Sequence, residues 1–197
     1  MIRLKLGIMI SGRGSNMLAL LDACAKGDVQ ADPALIVSNR PEAEGLRAAA
    51  ARGVDICAID HKPFGKDREA FERNLDAALY KAGIELIALA GFMRILTPWF
   101  TDRWAGRMIN IHPSLLPKYP GLNTHQRALD AGDSEHGCTV HWVTSGVDQG
   151  ETIAQAAIKV RAGDTAETLR ARILVEEHKL FPKALQMACA QILRRAP

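Results

Sequence analysis

The sequence predicts an α/β fold: an open, mostly parallel, twisted sheet with helices on both faces, of the Rossmann-like kind. Short apolar runs alternate with helical patterns along the chain, and this order of elements builds parallel sheets. The first run, residues 4–10, is almost continuously apolar, as a strand buried on both faces is. It leads through a glycine-rich turn into a helix, and open α/β sheets place their sites at such strand ends.

The strands are predicted from short apolar runs bounded by glycine, proline or polar turn residues. They lie at residues 4–10, 34–37, 54–59, 84–90, 107–109, 138–143 and 152–160. The helices follow from apolar periodicity and from the glycines that end them. They lie at residues 17–25, 41–52, 67–81, 99–104, 124–131 and beyond Asp164. In the last helix, Asp164 is the predicted cap, Glu167 completes a capping box, and Pro182 is expected to kink or restart the helix.

Length and composition predict one ordinary folded domain. The chain has 197 residues, enough for a core, and is 48% hydrophobic and 24% charged. Its net charge is only +3, no Lys/Arg-rich run occurs, and aromatic residues make up 5%. These features argue against a nucleic-acid-binding surface. The weak positive charge fits small anionic ligands at least as well.

Cysteine usage and the N-terminus both predict a cytoplasmic protein. Cys24, Cys57, Cys138 and Cys189 are scattered and form no Cys-x-x-Cys pair. They are therefore expected to be reduced and mostly buried, rather than disulfide-bonded or bound to zinc. Residues 1–6 lack the apolar length and the cleavage site of a signal peptide. No apolar run approaches the length of a membrane span.

Residues 11–16, Ser-Gly-Arg-Gly-Ser-Asn, form the glycine-rich turn before the first helix. Free backbone N–H groups and the helix dipole favour an anion there, and Ser15 and Asn16 add further donors. A dinucleotide site is disfavoured because Met17 replaces the third glycine and residues 38–40 offer no carboxylate for a ribose hydroxyl. A Walker loop is excluded because no Gly-Lys-Ser/Thr follows. A monophosphate site remains, beside the alternative of a tight turn that uses glycine only for positive φ.

Residues 110–121, Asn-Ile-His-Pro-Ser-Leu-Leu-Pro-Lys-Tyr-Pro-Gly, are predicted to form a stiff loop after the fifth strand. Three prolines fix φ and remove donors, so this segment is expected to join neither a sheet nor a helix. Asn110 and His112 lie two residues apart and point the same way in an extended chain. Together they could stabilise an oxyanion and move a proton. Alternatively, both side chains cap the loop.

Three other features could belong to a site. Residues 91–96, Gly-Phe-Met-Arg-Ile-Leu, could wall a slot for a flat ring, or pack onto the core. Arg68 is a cation at a helix start, where it opposes the dipole; this suggests a charged partner, although a solvated arginine is the alternative. The turn-rich loop at 144–150 carries one carboxylate, Asp148.

Two other kinds of site receive little support. His136 and His141 lie five residues apart, a spacing that suits neither a helix face nor a strand face, so they are interpreted as structural or ligand-lining rather than metal-binding. No Gly-x-Ser-x-Gly motif occurs, which argues against a serine hydrolase.

Four separated segments together resemble the phosphoribosylglycinamide formyltransferase family (the glycinamide ribonucleotide transformylases), folate-dependent enzymes of purine biosynthesis. They are residues 11–16, Leu-Ala-Gly-Phe-Met-Arg-Ile-Leu at 89–96, Asn-Ile-His-Pro-Ser-Leu-Leu-Pro at 110–117, and Val-Asp-Gln-Gly at 147–150. Each segment alone is a weak to moderate signal, but the four in this order are highly specific. The similarity covers essentially the whole chain.

The resemblance implies transfer of a formyl group from 10-formyltetrahydrofolate to the amine of glycinamide ribonucleotide, without a metal. It implies a single formyltransferase domain over residues 1–197. The N-terminal part, about 1–105, would bind the ribonucleotide phosphate, and the C-terminal part, about 106–197, would carry catalysis and folate binding. Expected partners are these two small molecules, with no nucleic acid and no membrane, in a monomer or homodimer.

The resemblance also implies which residues form the site. The catalytic set is Asn110, His112 and Asp148, with Asp148 raising the pKa of His112 and helping to collect a proton. The ribonucleotide would be held by Gly14, Ser15, Asn16 and Glu177. The folate would be held by Arg68, Met93, Arg94, Ile95, Leu96, Asn110, Val143 and Asp148. The loop at 144–150 is expected to order around the pterin, and the role of Arg13 is left open.

Rival functions come from relatives and from a different class of protein. A formyltetrahydrofolate deformylase uses water as the acceptor, and a methionyl-tRNA formyltransferase uses a charged tRNA. Both normally carry an additional domain for which this chain is expected to have no length, and the 11–16 loop favours a small phosphorylated acceptor. A non-catalytic folate- or nucleotide-binding module would not need Asn110, His112 and Asp148 together.

Overall fold

One seven-stranded sheet organises the protein in the computed structural model, which describes residues 2–195. The strands are β1 (Leu4–Ile10), β2 (Ala31–Ser38), β3 (Ile56–Ala58), β4 (Leu86–Leu89), β5 (Met108–His112), β6 (Glu135–Trp142) and β7 (Thr152–Lys159). Their spatial order is β3-β2-β1-β4-β5-β6-β7. The first five strands pair in parallel, while β6 and β7 each join antiparallel. The predicted open, mostly parallel sheet is therefore confirmed.

Helices cover both faces of this sheet. They are α1 (Ser15–Lys26), α2 (Glu44–Ala50), α3 (Arg68–Lys81), α4 (Pro98–Arg103), α5 (Thr124–Asp130) and α6 (Ala166–Arg195), with a 3-10 turn at Lys62–Phe64. Buried side chains of α1, α2 and α6 form one core cluster, and those of α3 and α4 form the other. No helix within residues 2–195 combines the length and apolar character needed to cross a bilayer.

Side chains of β1 alternate between the two faces of the sheet, so this strand contributes to both core clusters. Leu6, Ile8 and Ile10 belong to the α1/α2/α6 cluster, whereas Met9 belongs to the α3/α4 cluster. Successive side chains of a strand point to opposite faces, so a strand covered on both sides must be apolar throughout.

The strand β5 extends further than predicted. The sequence predicts a loop at Asn110 and His112, but both belong to β5, where Asn110 is paired with His141 and His112 with Thr139 of β6. The prolines constrain the backbone only from residue 113 onwards, so the three preceding residues keep their ladder hydrogen bonds. The two side chains do share one face of the strand, as their spacing predicts.

The start of α6 also differs from prediction. Thr165, not Asp164, precedes the helix, and its Oγ1 accepts a hydrogen bond from the Thr168 N–H at 3.2 Å. Asp164 instead binds the Arg172 guanidinium at 2.6 Å. Glu167 is in the first turn but is not the capping-box partner. Pro182 lies inside a single helix, so the helix does not restart there.

The order of the strands places a crevice at their carboxyl ends. The chain passes from β1 outwards to β2 and β3, then returns to the other side of β1 at β4. The loops after β1 and β4 therefore diverge at this point, which is where open α/β sheets bind ligands.

Candidate active site

A crevice of about 1550 Å³ lies over the carboxyl ends of β1, β4 and β5. Every predicted site residue except Gly14 and Ser15 lines it. The start of α1, the loop after β4, the end of β5 and the 144–150 loop thus meet around one space, although they are far apart in sequence.

His112 and Asp148 form the centre of the crevice. His112 Nδ1 lies 3.3 Å from Asp148 Oδ2, and the two side chains are 7% and 12% exposed. Asp148 adopts a left-handed backbone conformation with φ of 53°, which is uncommon for a residue other than glycine. Its Oδ2 also accepts the Gly121 N–H at 2.8 Å. The carboxylate is therefore held against the imidazole by contacts from two loops.

His141 connects the remaining member of the predicted catalytic set to this pair. Its Nε2 lies 3.2 Å from Asn110 Nδ2 and 3.5 Å from Asp148 Oδ1. The antiparallel register of β5 and β6 places His141 opposite Asn110. The sequence alone does not distinguish a structural from a ligand-lining role for His141, because the register between two strands is not visible in the spacing of residues along the chain.

The second ring nitrogen of His112 is also engaged. Nε2 lies 2.9 Å from the Tyr119 carbonyl oxygen, which can only accept. The proton of the neutral imidazole therefore resides on Nε2, and a second proton would occupy Nδ1, facing Asp148. Asn110 is half-buried, and its amide can still present a donor to the crevice.

Burial controls the pKa of His112. Desolvation lowers it below the ordinary value, and this outweighs the hydrogen bond to Tyr119 and the charge of Asp148, both of which raise it. The expectation that Asp148 raises the pKa of His112 is right for that contribution, but the net shift is downwards. The neutral ring is thus favoured near neutral pH.

Asp148 stays ionised in this setting. Burial raises its pKa, but hydrogen bonds from His141 and from the Gly121 N–H bring the pKa below its ordinary value. A charged carboxylate beside a neutral imidazole is an arrangement that can receive a proton.

The start of α1 forms one end of the crevice. Gly14 precedes the helix with φ of 75°, so the turn does require a left-handed residue. This requirement is compatible with an anion site, since the same turn exposes the N–H groups of the first helical turn. Asn16 Nδ2 donates to Glu177 Oε2 at 2.6 Å, which joins α1 to α6.

Glu177 is a buried carboxyl group at this end. It is 8% exposed, and burial raises its pKa, although the hydrogen bond from Asn16 and the charge of Arg170 lower it. Arg170 lines the same part of the crevice and was not predicted. Nothing in the local sequence separates it from the other arginines of α6.

Apolar side chains of the loop after β4 form part of the rim of the crevice. Met93 and Ile95 are 60% and 57% exposed, while Leu96 is buried. The Met93 N–H donates to Ser11 Oγ at 2.8 Å, which ties this loop to the turn after β1. Val143 is half-buried beside them.

Two arginines accompany this apolar rim. The Arg94 guanidinium stacks 5.0 Å from the centre of the Phe71 ring, and burial together with the neighbouring Arg68 lowers its pKa. Arg68 is exposed at the first position of α3. This end of the crevice combines apolar surface with cations.

Within residues 2–195, no group of three or more His, Cys, Asp or Glu side chains is placed to hold a metal ion. His136 instead pairs with His125, with Nε2 and Nδ1 3.1 Å apart. The four cysteines are free thiols, and Cys24, Cys138 and Cys189 are buried.

The family model described as formyl transferase matches residues 4–185. The chain belongs to the formyl transferase family. The phosphoribosylglycinamide formyltransferase of Escherichia coli K12 is 43% identical over 175 residues, which cover 89% of this chain and 82% of that protein. A solved structure of the phosphoribosylglycinamide formyltransferase from Brucella melitensis superposes with a TM-score of 0.90 and 48% identity, covering 95% of this chain and 96% of that one.

Members of the family also occur inside longer chains. The trifunctional purine biosynthetic protein adenosine-3 of Drosophila pseudoobscura pseudoobscura is 48% identical over 196 residues, covering 98% of this chain but 14% of that protein. The present chain thus spans about one-seventh of that relative.

Proposed function

We propose that this chain is a phosphoribosylglycinamide formyltransferase. It transfers the formyl group of 10-formyltetrahydrofolate to the amine of N1-(5-phospho-D-ribosyl)glycinamide in de novo purine (IMP) biosynthesis. One observation carries the proposal: in a member of the formyl transferase family, Asn110, His112 and Asp148 share one crevice with the start of α1 and with an apolar rim. Two substrates, one phosphorylated and one flat and aromatic, fit the two ends.

The ribonucleotide occupies the α1 end in this proposal. Backbone N–H groups after Gly14, with Ser15 and Asn16, bind the phosphate, and the helix dipole favours its charge. Glu177 lies beside Asn16 and accepts from ribose hydroxyls. The amine of the glycyl group then extends towards Asn110 and His112.

The folate occupies the other end. Met93, Ile95, Leu96 and Val143 provide apolar surface for the pterin and the adjoining ring. Arg68 and Arg94 lie where the anionic tail of the folate can reach them. Asn110 and Asp148 contact the pterin side of the formyl group, and the 144–150 loop orders around it.

The reaction is a direct transfer. The amine nitrogen attacks the formyl carbon, the carbon–nitrogen bond to tetrahydrofolate breaks, and the amine proton finally reaches the departing nitrogen. Negative charge grows on the formyl oxygen, and the free N–H of Asn110 donates to it. For His112 Nε2 to donate as well, it must exchange the Tyr119 carbonyl for this oxygen.

Proton transfer uses the His112–Asp148 pair. His112 Nδ1 is unprotonated in the neutral ring and faces an ionised carboxylate, so the pair takes up the amine proton directly or through water. Because Asn110 and His112 supply the electrostatic stabilisation, these steps require no metal.

The organisation of the whole molecule is also part of the proposal. Residues 1–197 form one formyltransferase domain, of which the described part is 2–195. Residues up to about 105 carry the phosphate site, and those from about 106 carry the catalytic set. Four free cysteines favour a cytoplasmic location. The proposed assembly is a monomer or a homodimer.

His112→Ala tests the catalytic assignment. We expect turnover to fall by about 10²- to 10⁴-fold, because one group that moves protons and stabilises charge is lost. Titration calorimetry should still detect both substrates, since neither end of the crevice is altered. His61→Ala is a suitable control, because His61 does not line the crevice. Unchanged turnover in His112→Ala would contradict the mechanism.

A further inference from the structure

Arg170 is a cation in the crevice that the catalytic scheme does not use. It is exposed on α6, two turns before Glu177, so both side chains project from the same face of the helix. It lines the crevice together with Asn16, Glu177 and His125. Its charge lowers the pKa of Glu177 and of His125.

Arg170 makes no ion pair and no side-chain hydrogen bond within residues 2–195, whereas its neighbour Arg172 binds Asp164 at 2.6 Å and the Lys159 carbonyl at 2.7 Å. A guanidinium carries five donors in a planar fork that matches phosphate or carboxylate oxygens. Arg172 uses its donors to hold the start of α6, while those of Arg170 remain free at the crevice.

A buried polar atom without a partner lies near Glu177. Asn16 is 9% exposed, and its Oδ1 is buried without a hydrogen-bond partner, although its Nδ2 is bound to Glu177. A buried acceptor left unpaired is costly, so a ligand that supplies a hydroxyl donor is favoured. The N–H groups at the start of α1 and the guanidinium of Arg170 favour an anion. Asn16 Oδ1 and the Glu177 carboxylate are acceptors, so they favour the hydroxyl groups of a ligand.

We propose that Arg170 binds the 5′-phosphate of the ribonucleotide and makes the enzyme select phosphorylated over unphosphorylated acceptors. This proposal rests on the proposed function. The phosphate would lie between the first turn of α1 and the guanidinium of Arg170, with the ribose hydroxyls directed to Asn16 and Glu177. Arg13, inside the glycine-rich loop, is also exposed but does not line the crevice, whereas Arg170 does.

The test measures binding of the ribonucleotide to the intact protein by calorimetry, with and without the 5′-phosphate. The variants are Arg170→Ala and Arg170→Lys, with the exposed Arg194→Ala near the end of α6 as the matched control. We expect Arg170→Ala to weaken the phosphorylated ligand about 10- to 100-fold, as loss of a charge-assisted contact does, and to leave the unphosphorylated ligand unchanged. Arg170→Lys should restore part of the loss, because it keeps the charge but not the fork.

Three results would overturn the role of Arg170. They are unchanged affinity of the phosphorylated ligand, an equal loss for both ligands, and an equal loss in Arg194→Ala. KM for the ribonucleotide should rise in Arg170→Ala while kcat changes little. If the unsubstituted protein binds the phosphorylated ligand through Arg170 but transfers no formyl group, the proposed function fails and the Arg170 site stands.

Discussion

At the scale of single residues, the site contains a buried carboxyl group that lowers the stability of the folded protein. Glu177 is buried, and its pKa is raised because desolvation disfavours the carboxylate. A raised folded-state pKa means that the native protein binds a proton more readily than the unfolded chain. Stability is therefore lost as pH rises from the unfolded pKa through the folded one, and the deficit persists at neutral pH.

Glu177→Gln should consequently stabilise the protein while weakening ribonucleotide binding. The amide still accepts from Asn16 but carries no charge to desolvate. We expect about 1 kcal/mol at pH 7, or about 2–4 °C in Tm, and a smaller gain near pH 4.5. Thermal unfolding of both proteins across this pH range measures it.

Glu176→Gln is the control, because Glu176 forms only a surface pair with Lys179. It should change stability by less than about 0.5 kcal/mol. A gain in Glu177→Gln that does not depend on pH, or a loss, would contradict the burial argument.

Some of the site was predictable residue by residue. The spacing of Asn110 and His112 predicted a shared face, and the structure places both on the same face of β5. The pairing of His112 with Asp148 was implied only by the resemblance, since the carboxylate reaches it through a separate loop. His141 and Arg170 were not predicted, because each reaches the crevice only through the packing of elements that are distant in sequence.

At the scale of elements, the antiparallel end of the sheet depends on close backbone approach. Gly137 of β6 is opposite Ala157 of β7, and a Cβ added there would lie 2.0 Å from the Ala156 carbonyl oxygen and 2.6 Å from Leu115 Cδ2. The Leu115 loop follows His112, so this contact links the register of β6 and β7 to the site.

Gly137→Ala should destabilise the protein by about 3 kcal/mol or more, because the clash is with backbone rather than with a flexible side chain. Gly163→Ala is the comparison: Gly163 has φ of 82°, but nothing lies within 4 Å of its added Cβ. It should cost about 1–2 kcal/mol from backbone strain alone. Urea unfolding measures both, and equal costs would refute the packing argument.

The ends of helices and strands were hardest to predict where a site residue or a helix cap lies beside the boundary. The three prolines predict a loop over the whole of 110–121, yet residues 110–112 belong to β5, before the first proline. Asp164 fits the pattern of a helix cap one residue before Thr165, which is the residue that caps α6. In both cases, tertiary hydrogen bonds decided between neighbouring positions.

At the scale of the whole molecule, the fold brings the start of α1, the loop after β4 and the end of β5 to one crevice. The crevice opens because the chain passes from β3 back to the other side of β1, where β4 lies. The alternation of strands and helices along the sequence was sufficient to predict this architecture. The meeting of α1, α6 and the 144–150 loop across it was not predictable from local patterns, because it depends on packing between the elements.

The most direct measurement is a paired turnover assay of the purified protein. It would receive 10-formyltetrahydrofolate with and without N1-(5-phospho-D-ribosyl)glycinamide, and release of tetrahydrofolate would be followed optically. We expect release only when the ribonucleotide is present, with one formylated ribonucleotide formed for each tetrahydrofolate. Equal release without the ribonucleotide would mean that water is the acceptor, and would contradict the proposed transferase.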